Sequence, residues 1–152
     1  LFERMFDVNV MGVVHCVQGV LPGMLRRKHG RIVVVSSMAG LKGYAYISAY
    51  CAAKHAAVGL VRALARETAT KGITINAVCP GYVDTDLVER SVTEIVAKTG
   101  GSREDTLTML VSNNPQRRLI APEEIAQAVS FLCSDGARSI TGQAIAVSGG
   151  ES

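Results

Sequence analysis

The chain has 152 residues, 48% of them hydrophobic, which is enough for one domain with its own core and too little for two ordinary ones. A formal net charge of +3 is spread along the chain, and with aromatic residues at 5% and no Trp there is little material for a base-stacking platform, so no nucleic-acid partner is expected. The four cysteines (Cys16, Cys51, Cys79, Cys133) form no C-x-x-C pair and read as reduced, half-buried small side chains, with no metal site expected. No uninterrupted apolar run reaches the ~18 residues of a membrane span, so a cytoplasmic chain without a membrane partner is expected.

From the first residue to Lys28, apolar side chains recur at helical spacing (Phe2, Met5, Phe6, Val10, Val13, Val14, Val17, Leu21, Leu25) and predict one long helix, bent at Pro22 and Gly23. Arg26, Arg27 and Lys28 favour the negative end of its dipole, and Gly30 is the expected stop. Leu1 lies inside this pattern with no initiator Met before it, so the chain is expected to be a fragment. Arg31 to Ser36 reads as a short strand buried on both faces, followed by a Gly-punctuated loop from Met38 to Ile47. Ser48 to Lys71 is helical and rich in Ala, with Gly72 as its stop. Ile73 to Cys79 is a second strand, ended by Pro80 and Gly81, and the polar stretch up to Pro122 predicts short helices joined by loops. Pro122, Glu123 and Glu124 open a helix through Cys133, and Ala144 to Val147 is a third strand. Strands alternating with helices mean parallel crossover units, so a single doubly wound α/β domain, truncated at its N-terminus, is expected over residues 1–152.

Chemistry concentrates at three points. Tyr50 and Lys54 stand at i and i+4 on the Ala-rich helix, so both project from one face into one site. A free phenol titrates near ~10, and an ammonium ~4 Å away would favour the phenolate by at most about 4 kcal/mol, enough to bring proton exchange toward neutral pH. The same ammonium can donate to a ribose hydroxyl. Ser37 lies just past the first strand, at the edge where open parallel sheets bind ligands, and its hydroxyl can hold a carbonyl or alkoxide oxygen. Pro80 and Gly81 end the neighbouring strand at the same edge, and the Thr85 hydroxyl is placed to meet an amide or phosphate oxygen. Each feature alone is weak; the order of all of them is the signal.

That order, Ser37, then Tyr50-Cys51-Ala52-Ala53-Lys54, then Asn76-Ala77-Val78-Cys79-Pro80-Gly81-Tyr82-Val83-Asp84-Thr85, resembles the signature of the short-chain dehydrogenase/reductase family over the whole chain. The resemblance implies a Rossmann-like fold and an NAD- or NADP-dependent oxidoreductase that interconverts a secondary alcohol and a ketone. It selects Ser37, thirteen residues before the tyrosine, over Ser36 as the catalytic serine that also contacts substrate with Tyr50. It also implies Asn9, in Asp7-Val8-Asn9-Val10, as a fourth catalytic residue holding a water relay to Lys54. Asn9, Tyr50, Lys54, Pro80, Gly81, Val83 and Thr85 would then face the cofactor, with a backbone contact at Val83 and a hydroxyl contact at Thr85. A homodimer or homotetramer is implied, with residues 83–120 as a mobile lid over a small or medium substrate, such as a hydroxy acid, an acyl thioester or a sugar. Ala53 and Ser148 depart from the family pattern without touching the proton path. The glycine-rich T-G-x-x-x-G-x-G turn is absent from these residues, so the pyrophosphate cradle is not encoded in them. Two alternatives remain open: an epimerase or dehydratase of the extended type, and an inactive fragment or cofactor-sensing module.

Overall fold

The computed structural model describes residues 1–151. Its elements, in chain order, are α1 (Phe2–Phe6), a π-helical turn (Asp7–Met11), α2 (Gly12–Arg27), β1 (Gly30–Val35), α3 (Ser48–Thr68), β2 (Ile73–Pro80), α4 (Asp86–Thr99), α5 (Arg103–Leu110), α6 (Pro122–Cys133) and β3 (Ala144–Val147). The three strands form one parallel sheet in the order β1-β2-β3, with Gly30 opposite Ile73 and Ala77 opposite Ala144.

β2 is central, and every one of its residues is buried. Alternation along it divides the core. Ile73, Ile75, Ala77 and Cys79 pack with Val34 of β1 against Ala57, Val58, Val61 and Ala65 of α3, backed by Val13, Leu21 and Met24. Val78 faces the other way, toward Leu132 of α6 and Ala137. Helices therefore cover both faces, and the expected Rossmann-like doubly wound α/β architecture is observed. The alanines of α3 let that helix approach the sheet closely. Gly40 shows how close: a Cβ there would stand 2.6 Å from Ser36 Oγ and 2.9 Å from the Lys54 carbonyl oxygen. Asn76, fully buried in β2, donates to the Ile140 carbonyl at 2.8 Å and accepts from the Gln143 N–H at 3.0 Å, which fixes the turn that leads into β3. It is a structural member of the signature.

Between β2 and α6 the chain makes a separate small unit. Val88 and Val92 of α4 pack on Leu110 of α5 with Tyr82 and Leu119. A parallel bridge between Val83 and Ile120 clamps its two ends, through Asp84 N–H to Ile120 O (2.9 Å) and Ile120 N–H to Tyr82 O (2.9 Å). Helix α6 starts on Pro122, and Glu124 reaches back to the Ala121 N–H at 2.7 Å while Arg118 grips the same carboxylate at 2.6 and 2.8 Å. Those contacts hold Glu124 down at a pKa of about 2, the Arg118 hydrogen bonds first among the causes.

Several expectations are corrected. The first helix is continuous through Pro22 but contains the π-helical turn centred on Asn9, a local rewinding that apolar periodicity does not register. It stops one step early, at Lys28, which takes the left-handed conformation (φ 52°), so Gly30 opens β1 and Ser36 lies beyond that strand's end. Of the cysteines, all free, Cys51 and Cys79 are buried while Cys16 and Cys133 are exposed, because neither of the latter falls on a sheet-facing position. Finally, Phe2–Arg27 is long and apolar enough by length and composition to cross a membrane, against the expectation from uninterrupted runs. Mean hydropathy tolerates the isolated polar residues Asn9, His15 and Gln18, which break a run without making a helix polar. In the fold this helix lies along α3 and β1.

Candidate active site

Apart from the π-helical turn that carries Asn9, the elements with candidate chemistry deliver it to the carboxyl edge of the sheet. Ser36 and Ser37 follow β1, Pro80 and Gly81 close β2, and Glu151 follows β3. Tyr50 and Lys54 sit in the first two turns of α3, which starts at that same edge. A cavity of about 570 Å³ opens there, and Ser37, Tyr50, Lys54, Pro80, Gly81, Val83 and Thr85 all line it. Apolar side chains from the α4–α5 unit, including Leu87, Val88, Ile95 and Leu110, form its opposite wall.

Ser37 caps a short turn at Met38–Gly40 by accepting the Ala39 N–H at 3.1 Å. Ser36 turns inward and donates to the Lys54 carbonyl at 3.3 Å, tying the strand end to α3. Lys54 in turn donates its ammonium to the Val35 carbonyl at 3.2 Å, and its Nζ lies 5.5 Å from the centroid of the Tyr50 ring. Burial pushes the Tyr50 phenol above its ordinary value, with the Ser37 hydroxyl close enough to oppose that shift. Burial also pushes the Lys54 ammonium below its ordinary value. The expectation that Lys54 draws the phenol downward is therefore not met in this arrangement. The ammonium lies over the ring, donates to a strand carbonyl and is not among the causes that shift the phenol, and desolvation outweighs the Ser37 contact.

Asn9 is placed differently from the others. Its amide donates to the Met5 carbonyl at 3.0 Å, one turn back in its own helix, and it does not line the cavity. The π-helical turn that carries it packs on α3. Thr85 donates to the Val83 carbonyl at 3.3 Å, so its hydroxyl orders the loop that enters α4. The cavity also contains residues that no spacing or periodicity selects. Tyr44 donates to Glu151 Oε1 at 2.5 Å, and Lys42 pairs with the same oxygen at 3.1 Å. Burial and the Glu151 carboxylate hold the Tyr44 phenol far above its ordinary range, so it stays a donor at any working pH. Tyr82, raised by burial first and Glu151 second, completes this side. Tyr82 lay inside the recognised motif, but no periodicity or spacing marks a residue beyond the last strand, such as Glu151. Among the described residues no group of His, Cys, Asp and Glu is arranged to hold a metal.

A family model described as enoyl-(acyl carrier protein) reductase matches residues 1–152. The chain is 41% identical over 152 residues to the monensin polyketide synthase putative ketoacyl reductase of Streptomyces virginiae, covering 99% of this chain and 58% of that protein. It is 34% identical to the D-beta-hydroxybutyrate dehydrogenase of Rhizobium meliloti, over 98% of this chain and 58% of that one. Among solved structures, the F189W actinorhodin polyketide ketoreductase with NADPH superposes with a TM-score of 0.90 at 37% identity, covering 97% of this chain and 59% of that chain. The chain belongs to the short-chain dehydrogenase/reductase family. It spans a little under three fifths of the length of these relatives.

Proposed function

We propose that the protein containing these residues is an NAD(P)-dependent oxidoreductase that interconverts a secondary alcohol and a ketone. The observation that carries this reading is the meeting of Ser37, Tyr50 and Lys54 with the Pro80–Thr85 turn around one cavity at the strand ends. The residues suit the nicotinamide end of such a cofactor. Lys54 donates to the Val35 carbonyl with one of its ammonium protons, leaving others for ribose hydroxyls, and Thr85 is exposed on the cavity rim. When bound, the cofactor supplies or accepts the hydride.

The chain's own residues handle the proton. In reduction the Tyr50 phenol gives its proton to the carbonyl oxygen while the Ser37 hydroxyl donates to that same oxygen and holds it in place. A phenol raised by burial is fully protonated at neutral pH, which suits an acid. Lys54 fixes the ring by lying over its face, and Asn9 supports a water relay to Lys54 from the π-helical turn beside α3. The α4–α5 unit excludes water from above as the lid. A homodimer or homotetramer is part of the same reading, since a second copy would cover the exposed Phe6, Val8 and Met11 of the first helix.

Titration of the full-length protein with NADH and NADPH, following nicotinamide fluorescence, and then assay on a panel of ketones, tests this. Saturable binding with turnover is expected. Binding without turnover of any ketone would favour a cofactor-sensing module, and no binding would overturn the proposal.

A further inference from the structure

The proton chemistry accounts for one wall of the cavity and leaves the other unassigned. That other wall is hydrocarbon. Val88 and Leu110 form its buried base, clustered with Tyr82 and Ile95, and Leu87 continues it at the start of α4. The polar side chain that α4 brings to the cavity, Ser91, donates its hydroxyl proton to the Leu87 carbonyl at 3.0 Å, one turn back in its own helix. From the β1 and α3 side, Met38, Ala39 and Ile47 add more apolar surface. Among the described residues that line the cavity Lys54 is the single cation, and the proton and ribose chemistry already employs it.

Two of these apolar side chains reach solvent: Leu87 is 67% exposed and Ile47 40%. One exposed Leu is ordinary on any surface. Here the two come from separate elements, α4 and the residue before α3, and both line the cavity, so its apolar surface extends from the buried base at Val88 and Leu110 out to the mouth. A hydroxylated or charged substituent laid on the α4 wall would lose its water without gaining a donor or a counter-charge, whereas each methylene laid there is stabilised by leaving water. Resting on the oxidoreductase reading above, we infer that the substrate is a ketone whose larger substituent is a hydrocarbon chain, seated along α4 and leaving past Ile47 and Leu87, with Leu87 a specificity-determining residue. The same wall selects against sugars and against keto acids whose carboxylate falls on it.

The test compares 2-butanone, 2-octanone and 7-oxooctanoate on the full-length enzyme and its Leu87→Arg variant, a change at an exposed position that the core does not feel. In the unaltered enzyme kcat/KM should rise about fourfold for each methylene buried, hence at least about tenfold from 2-butanone to 2-octanone, with 7-oxooctanoate below 2-octanone. Leu87→Arg should raise turnover of 7-oxooctanoate and lower that of 2-octanone, and the first is a gain that a misfolded variant cannot produce. A smaller rise from 2-butanone to 2-octanone, a preference for 7-oxooctanoate in the unaltered enzyme, or an unchanged ratio of the two long ketones in Leu87→Arg overturns the inference. Should none of the three turn over, dissociation constants for the same probes by saturation-transfer NMR decide it. The 2-octanone-first order, reversed toward 7-oxooctanoate in the variant, then supports the inference while the failure of turnover counts against the oxidoreductase reading alone; equal affinities, or no binding, overturn the inference.

Discussion

On one side of the cavity, Ser37, Tyr50 and Lys54 hang from a strand end and a helix whose contact face is almost wholly buried; on the other, Lys42, Tyr44 and Glu151 come from the loop before α3 and the segment after β3. The first group is positioned by the main chain. Gly40 lets the strand end and α3 touch backbone to backbone, and Ser36 and Lys54 each bond a carbonyl of the other's element. The second group is held mainly through side chains, by its own ion pair and hydrogen bond, with Ser148 donating to the Glu151 carbonyl. Main-chain anchoring suits the groups that must meet a reacting atom within a few tenths of an ångström.

The contrast can be broken at its rigid side first. Tyr50→Phe removes only the hydroxyl and is expected to lower ketone reduction by at least about 100-fold, the lower range for losing a positioned acid, while thermal unfolding shifts little. A drop below tenfold in steady-state rate would show that another group supplies the proton. Asn76→Ala should be the largest purely structural loss, about 2 kcal/mol in denaturant unfolding, because it strands the Ile140 carbonyl and the Gln143 N–H in the interior.

The pH dependence sharpens the comparison. Lys54 titrates below its usual 10.5, so its positive charge is lost as pH rises through a window beneath that value, whereas the Tyr50 phenol, raised above 10.0, keeps its proton beyond it. Reduction is therefore expected to fall on the alkaline side with a midpoint that belongs to Lys54. Lys54→Arg should move that limb upward in a pH–rate profile, and an unmoved limb would assign it to another group. The smallest effect concerns the side held by side chains. Lys42→Met leaves the buried Glu151 carboxylate with the Tyr44 hydroxyl but without this cation, and should cost about 1 kcal/mol of stability, the low end for a buried group that loses one partner, measured by thermal unfolding.

Much of this was legible in advance because local pattern and tertiary demand agree. The β-branched run before Ser36, the Ala-rich helix closed by Gly72 and the Pro122 start of α6 all appear within a residue or two of where period and caps put them. The π-helical turn escaped because it keeps the apolar residues of the first helix in nearly the same places while rewinding the backbone around Asn9. Burial of Tyr50 escaped for a different reason. The i, i+4 spacing says that two side chains share a face, but not how far each is desolvated or that the ammonium also donates to the Val35 carbonyl across the strand end.

What the sequence determined by itself is the alternation of strands and helices and the identity of the groups at the strand ends, since both follow from short-range periodicity and from motifs read within one or two turns of chain. Which charges are desolvated, and which distant residues face them, is set by packing across the whole fold. Glu151 meets Tyr44 across 107 positions of sequence. That encounter depends on three strands taking their register together, a long-range outcome to which no local pattern of side chains is sensitive.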